Sequence, residues 1–180
     1  REQQRRFEVF QEDVPHRDVI DVRRTLEFAF LPHDLQINLE RPIKEGTIGG
    51  VYRATRQGKT FAVKVIPDGK RKDILESLDL IATIRKYLLI SDYREPGARA
   101  LDDFLGFYVR TIHEELDLMN EVKNASLLAP ILPQGFVIPR YDENLSDINV
   151  AVMEYLPSRR LKDVGVLERE SVIRRIDEEL

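Results

Sequence analysis

The chain has 180 residues, 42% of them hydrophobic and 33% charged, with a formal net charge of −4 and no cysteine. That length allows one good core; the missing cysteine excludes disulfides, thiolate metal sites and a cysteine nucleophile and fits a reducing compartment, while the acidic balance, without a basic tract carrying aromatics, argues against a nucleic-acid partner. No apolar run reaches the ~18 residues of a membrane-spanning helix.

The opening Arg-Glu-Gln-Gln-Arg-Arg leads into no apolar stretch, so no signal peptide is predicted. The missing initiator Met and the charged end Arg-Ile-Asp-Glu-Glu-Leu predict a piece of a longer protein. Residues 1–13 read as the tail of a helix with Phe7 and Phe10 on one side, stopped by Pro15. A second helix is predicted from Pro15 to Phe30, on the helical spacing of Val19, Val22, Leu26 and Phe30.

From Ile37 the pattern becomes extended: Ile37–Ile43, Gly50–Arg56 and Thr60–Ile66, with a hairpin turn at Gln57-Gly58. A helix over Arg71–Ile90 presents Ile74, Leu78, Ile81, Ile84 and Leu88 to a core. A long helix over Ala100–Leu128 carries the stripe Leu105, Val109, Ile112, Leu116, Met119, and Pro130 and Pro133 close it. Strands follow at Phe136–Ile138 and Asn149–Tyr155, the latter apolar enough to be buried on both faces. Short helices are predicted at Leu161–Val164 and Ser171–Leu180. The order is that of an α+β domain with a mostly antiparallel sheet of five strands.

Three features carry chemistry. Gly46, Gly49 and Gly50 form a loop that reads either as a plain turn or as a backbone cradle for an anion. It lacks the Gly-Lys-Ser/Thr of a Walker loop. Lys64 interrupts a β-branched strand, where a charge is costly to bury alone. It either snorkels to solvent or pairs with a carboxylate in a cleft. Asp117, Glu121 and Asn124 lie at i, i+4 and i+7 on the long helix, with Glu115 on a different side. That stripe is either a solvated face or the source of the partner of Lys64.

Taken together these residues are familiar. Phe-Ala-Val-Lys-Val around Lys64, thirteen residues after Val51, resembles the lysine strand after the glycine loop of protein kinases. Met153-Glu154-Tyr155-Leu156 resembles the kinase hinge. Pro42-Ile-Lys-Glu-Gly-Thr-Ile-Gly-Gly-Val-Tyr-Arg-Ala54, with Glu115-Leu-Asp117, Glu121 and Asn124, is similar to the UbiB/AarF atypical kinase-like family over residues 7–165.

The resemblance implies a kinase-like N-terminal lobe with a long αC-type helix, an extra inserted helix and an N-terminal helical extension. Its divisions are an extension at 1–36, a lobe at 37–156, and the hinge exit and start of a C-terminal lobe at 157–180. Lys64 contacts nucleotide phosphates and pairs with Glu121. Gly46, Thr47, Ile48, Gly49, Val51 and Ala62 surround the nucleotide, Met153 lines the rear, and the backbone beside Glu154 and Leu156 holds the adenine. Glu115 and Asp117 form the family's Glu-x-Asp pair, which faces a Lys-x-Gly-Gln motif not found here.

The implied cofactors are ATP or ADP with magnesium, whose ligands are expected in a C-terminal lobe. The chain has no Asp-Phe-Gly, and His16, His33 and His113 lie outside any catalytic-loop pattern, so no turnover is expected from it alone. Lys44-Glu45-Gly46 stand where the family has three alanines, nearer the ordinary kinase loop. By resemblance the whole protein transfers phosphoryl groups or hydrolyses ATP in support of isoprenoid-quinone or lipid metabolism. It lies on the cytoplasmic or organelle-matrix side, with peripheral membrane or lipid association and a protein partner left open. The rival is a non-catalytic pseudokinase-like scaffold. An ordinary protein kinase is disfavoured by the insertion between Lys64 and Glu121.

Overall fold

The computed structural model describes residues 19–29, 31–90, 96–158 and 165–179. Five strands form one sheet: β1 (Gln36–Glu45), β2 (Gly50–Arg56), β3 (Lys59–Val65), β4 (Tyr141–Asp142) and β5 (Val150–Glu154). Their order is β1-β2-β3-β5-β4, and every pair is antiparallel. The β2–β3 turn falls where the sequence placed it. Gln57 and Gly58 both have positive φ, 50° and 74°, the handedness that suits a two-residue hairpin loop. β1 is an edge strand whose register shifts on both sides of Pro42. Proline has no N–H to give the ladder and is tolerated at an edge.

Alternation along the strands divides the sheet into two faces. Tyr52, Ala54, Val63, Val65, Val150 and Val152 point to one side, where Val22 of α1 (Val19–Phe28) completes their cluster. The other side carries Val51, Ala62, Lys64, Ala151 and Met153 in register. There Ala151 joins Ile66, Leu78, Leu116, Leu118 and Val122 in a second cluster. β5 is buried from Val150 through Met153, as its unbroken apolar run predicted.

Helix α2 (Asp68–Ile90) starts three residues earlier than expected. Ile74, Leu75, Leu78 and Ile81 pack against the second cluster, whereas Ile84 is exposed rather than core-facing. The expected single helix over 100–128 is in fact two, α3 (Pro96–Glu115) and α4 (Leu118–Leu128). The chain breaks at Leu116-Asp117, where Asp117 takes extended dihedrals and its side chain accepts the Met119 N–H as an N-cap. The physical reason is burial. Leu116 and Leu118 are both buried in the second cluster, and two residues apart on an unbroken helix they would point to nearly opposite sides. The insertion between Lys64 and Glu121 thus holds two helices, not one.

The strand expected at Phe136–Ile138 does not form; those residues are irregular, and β4 lies at Tyr141–Asp142 instead. Gly135 has φ 96°, the Phe136 N–H turns back to the Pro133 carbonyl at 3.1 Å, and Pro139 follows directly. A turn and a proline leave too little extended chain for a ladder. The last helix, α5 (Val166–Glu179), is longer than the predicted Ser171–Leu180. The helices expected at 1–13 and Leu161–Val164 lie outside the described residues.

Helices α2 and α3 are clamped by Arg85, whose Nε donates to Asp102 Oδ1 at 2.7 Å and Nη2 to Oδ2 at 3.4 Å. Asp102 is buried while Arg85 reaches solvent. That asymmetry sets the expected result of breaking the clamp. Arg85→Leu takes the guanidinium from a buried carboxylate and should cost about 2–3 kcal/mol. Asp102→Ala leaves a guanidinium that can turn to water and should cost about 1 kcal/mol. Urea unfolding of the two variants checks the order.

Candidate functional site

Lys64 stands in the middle of β3, opposite Val51 on β2 and Ala151 on β5. Its stem lies among small and β-branched neighbours and its Nζ donates to Glu121 Oε2 in the first turn of α4. The pair spans 57 residues of sequence. It is not deeply buried: the side chains are 26% and 38% exposed. The strand lysine therefore avoids an uncompensated buried charge both by pairing and by reaching the surface of a cleft.

The other Glu121 oxygen is also taken. Tyr141 on β4 donates its hydroxyl to Oε1 at 2.8 Å. Tyr141 sits across from Met153. Burial first, and then the hydrogen bond and charge of Glu121, push its phenol far above the usual tyrosine range. It stays a donor throughout the working pH range, so Glu121 is held from both sides.

Because folding raises this acid's pKa, its stabilising contribution is present below the ordinary tyrosine value and is lost as pH climbs above it. Tyr141→Phe is expected to cost about 1–2 kcal/mol at neutral pH. It should also flatten the alkaline fall in melting temperature, which a thermal scan at several pH values reads.

Lys64, Glu121 and Tyr141 line a cleft of about 490 Å³ with Glu114, Glu115, Asp117 and Asn124. The helix break matters here. It turns Glu115 into the same cleft as Asp117 and Glu121, rather than to a different side as a continuous helix would. Among the described lining residues Glu114, Glu115, Asp117 and Glu121 outnumber one lysine, so the cleft is negative around the Lys64 ammonium. Among the described residues no group of three or more His, Asp or Glu is arranged to hold a metal ion.

Of the other expected residues, Ala62 is buried two positions before Lys64, on the same face, paired with Met153. Met153 and Glu154 line a second groove of about 980 Å³ that shares Tyr141 with the first cleft. The Glu154 N–H is occupied by the Arg140 carbonyl at 2.8 Å, and Leu156 follows the strand, half-buried. Gly46, Thr47, Ile48 and Gly49 form the β1–β2 loop and line neither cleft. The Gly46 N–H closes this loop on the Gly49 carbonyl at 3.0 Å. Ile48 is anchored on the second apolar cluster, and Thr47 is exposed. A Cβ on Gly49 would come within 2.7 Å of the Val65 carbonyl oxygen, so the loop lies directly on the sheet beside Lys64.

Three participants escaped the sequence reading. Tyr141 carries no local signal, because a lone tyrosine after Pro139-Arg140 reads as surface. Arg53 lies in register with Ala62. Its Nη2 donates to the Tyr155 hydroxyl at 2.6 Å, and its guanidinium lies 4.6 Å from that ring's centroid, tying β2 to the segment after β5. Arg71 donates from Nη1 to the Leu116 carbonyl at the helix break. It was hidden in the charged run Lys70-Arg71-Lys72.

A family model described as the ABC1 atypical kinase-like domain matches residues 32–178. A curated protein of Marinobacter nauticus, named as a "Probable protein kinase UbiB", is 31% identical over 139 residues, 75% of this chain and 25% of that protein. Among solved structures, the Mycobacterium tuberculosis protein Rv3197 in complex with erythromycin aligns with a TM-score of 0.63 at 20% identity. That match covers 83% of this chain and 38% of the other, and it is a likeness of fold. The chain thus spans about a quarter of the length of the curated relative it matches.

Proposed function

The chain belongs to the ABC1 atypical kinase-like family, of UbiB type, with the fold of a kinase-like N-terminal lobe, and from that premise we propose that it is the nucleotide-holding lobe of a phosphotransferase or ATPase. The observation that carries the reading is the Lys64–Glu121 pair, a strand lysine held by a carboxylate one turn into a helix across the sheet. In kinase-like enzymes this pair sets the lysine on the nucleotide phosphates.

The ligand class is an adenine nucleotide, ATP or ADP, which when bound supplies the phosphoryl group. Lys64 would meet its phosphates, and the Gly46–Gly49 loop would lie above them. Val51 and Ala62 would pack on its base, with Met153 behind it. The backbone beside Glu154 and Leu156 would take its edge. Tyr141 keeps the Glu121 carboxylate in place so that the lysine head does not wander. The described residues offer no cluster suited to a resident magnesium, and the ligands of a magnesium arriving with the nucleotide would belong to a C-terminal lobe.

Phosphoryl transfer or hydrolysis, in support of isoprenoid-quinone or lipid metabolism, is proposed for the whole protein, and no turnover for these 180 residues. The resemblance of the sequence supports that reading, and the similarity to a probable protein kinase supports its phosphoryl-transfer part. A cytoplasmic or matrix-side location peripheral to a membrane goes with it. No described helix is long and apolar enough to cross a membrane.

Calorimetric titration of the chain with magnesium–ATP and magnesium–ADP tests the proposal. Saturable binding below the millimolar range is expected. No heat of binding at millimolar nucleotide would favour the non-catalytic scaffold. Hydrolysis by these residues alone, lost on Lys64→Ala, would overturn the expectation of no turnover.

A further inference from the structure

The helix break before Glu121 leaves backbone groups that an unbroken helix would have satisfied. The Leu116 carbonyl would ordinarily accept the Asn120 N–H, but that N–H goes to the Asp117 carbonyl at 3.0 Å. Arg71 fills the gap, donating to the Leu116 carbonyl. On the other side of the break, the Leu118 N–H goes to the Ile148 carbonyl at 3.2 Å. The start of α4 is therefore held by the first turn of α2 and by the loop before β5.

Those two segments are themselves tied together and to α1. Arg71 Nη1 also lies 3.4 Å from Asn149 Oδ1, and Asn149 Nδ2 donates to Asp68 Oδ1 at 2.5 Å. The Asp68 N–H donates to the buried Thr25 hydroxyl of α1 at 2.9 Å, and that hydroxyl donates to the Asp21 carbonyl at 3.0 Å. One string of hydrogen bonds thus runs from α1, on the face of the sheet opposite Lys64, to the turn that carries Glu121.

We infer that Arg71 is a positioning residue for the nucleotide site, and that through it the placement of α1 is coupled to the Lys64–Glu121 pair. A shift of α1 acts on the Thr25–Asp68 link, then on Arg71 and Asn149, then on the Leu116 carbonyl and the pitch of the first turn of α4. Any partner that binds α1 thereby has a route to the lysine without touching the cleft. The consequence for ligand rests on the nucleotide reading, but the geometry of the string does not.

The test uses Arg71→Leu, Arg71→Lys and Thr25→Val in the intact protein, with two readouts. Amide hydrogen exchange at residues 118–122 is expected to accelerate about tenfold relative to β5 in Arg71→Leu and Thr25→Val. Arg71→Lys, which keeps a donor for the carbonyl, should recover much of the protection. Magnesium–ADP affinity should weaken about five- to tenfold in Arg71→Leu, and the same substitution should have no further effect in a Lys64→Met background. If α4 exchanges no faster relative to β5 in Thr25→Val, or in Arg71→Leu where that variant folds, the coupling is overturned. Faster exchange with wild-type affinity overturns the positioning role. A wild-type protein that binds no nucleotide overturns the proposed function instead and leaves the exchange result to decide the coupling.

Discussion

Replacing Lys64 with methionine is expected to weaken magnesium–nucleotide binding about tenfold to a hundredfold, the equivalent of about 1.5–3 kcal/mol for a charge-assisted hydrogen bond to phosphate. The same change should barely alter the stability of the fold. The reasoning rests on exposure. With 26% of the lysine side chain and 38% of the glutamate exposed, the ion pair is screened by water and is worth at most about 1 kcal/mol to folding. Glu121 keeps the Tyr141 hydroxyl when the ammonium is gone, and methionine fills the space of the stem among Val51 and Ala151. Affinity and stability should therefore separate. A variant that loses several kcal/mol of stability in urea, with affinity unchanged, would mean that Lys64 is a structural ion-pair member and nothing more.

Gly49→Ala should lower stability and nucleotide affinity together, and it reaches the same site from above. The new methyl would lie 2.7 Å from the Val65 carbonyl oxygen and 3.3 Å from Ile66 Cγ1. The first of these is backbone in the middle of the sheet and cannot yield like a flexible side chain. The loop must lift, at a cost of about 1–3 kcal/mol, and Ile48 must leave part of its apolar contact. Nucleotide affinity should fall with stability, because the lifted segment is the one proposed to cover the phosphates. Gly46→Ala is the control, since its methyl would find only the Gly49 carbonyl oxygen at 3.4 Å, an ordinary contact. Urea unfolding should separate the two substitutions clearly, and equal losses would contradict the close-approach account.

Four of the five strands, β1, β2, β3 and β5, were legible because their signals are local. Gln57-Gly58 reads as a turn from residue type alone, and β5 reads as buried from its unbroken apolar run. The Lys64–Glu121 pair was legible only through resemblance. No periodicity links two residues 57 positions apart. The helix break was missed because Val109, Ile112, Leu116 and Met119 keep an unbroken 3–4 spacing through it, and an N-cap aspartate inside such a stripe looks like one more polar residue. β4 was misplaced because Phe136–Ile138 is more apolar than Tyr141-Asp142. Proline and a positive-φ glycine, not hydrophobicity, decide where extended chain can pair there. The contacts of Arg71 and Tyr141 are tertiary and leave no mark on their neighbours in sequence.

Following backbone amides by NMR while magnesium–ADP is titrated into the isotopically labelled chain is the most direct test that this is a nucleotide-holding lobe. The expected shifts fall at Gly46–Gly49, Val51, Ala62–Lys64, Glu121 and Met153–Leu156, saturate together, and weaken together in Lys64→Met. Shifts confined to α2 and α3, or none at millimolar nucleotide, would contradict it.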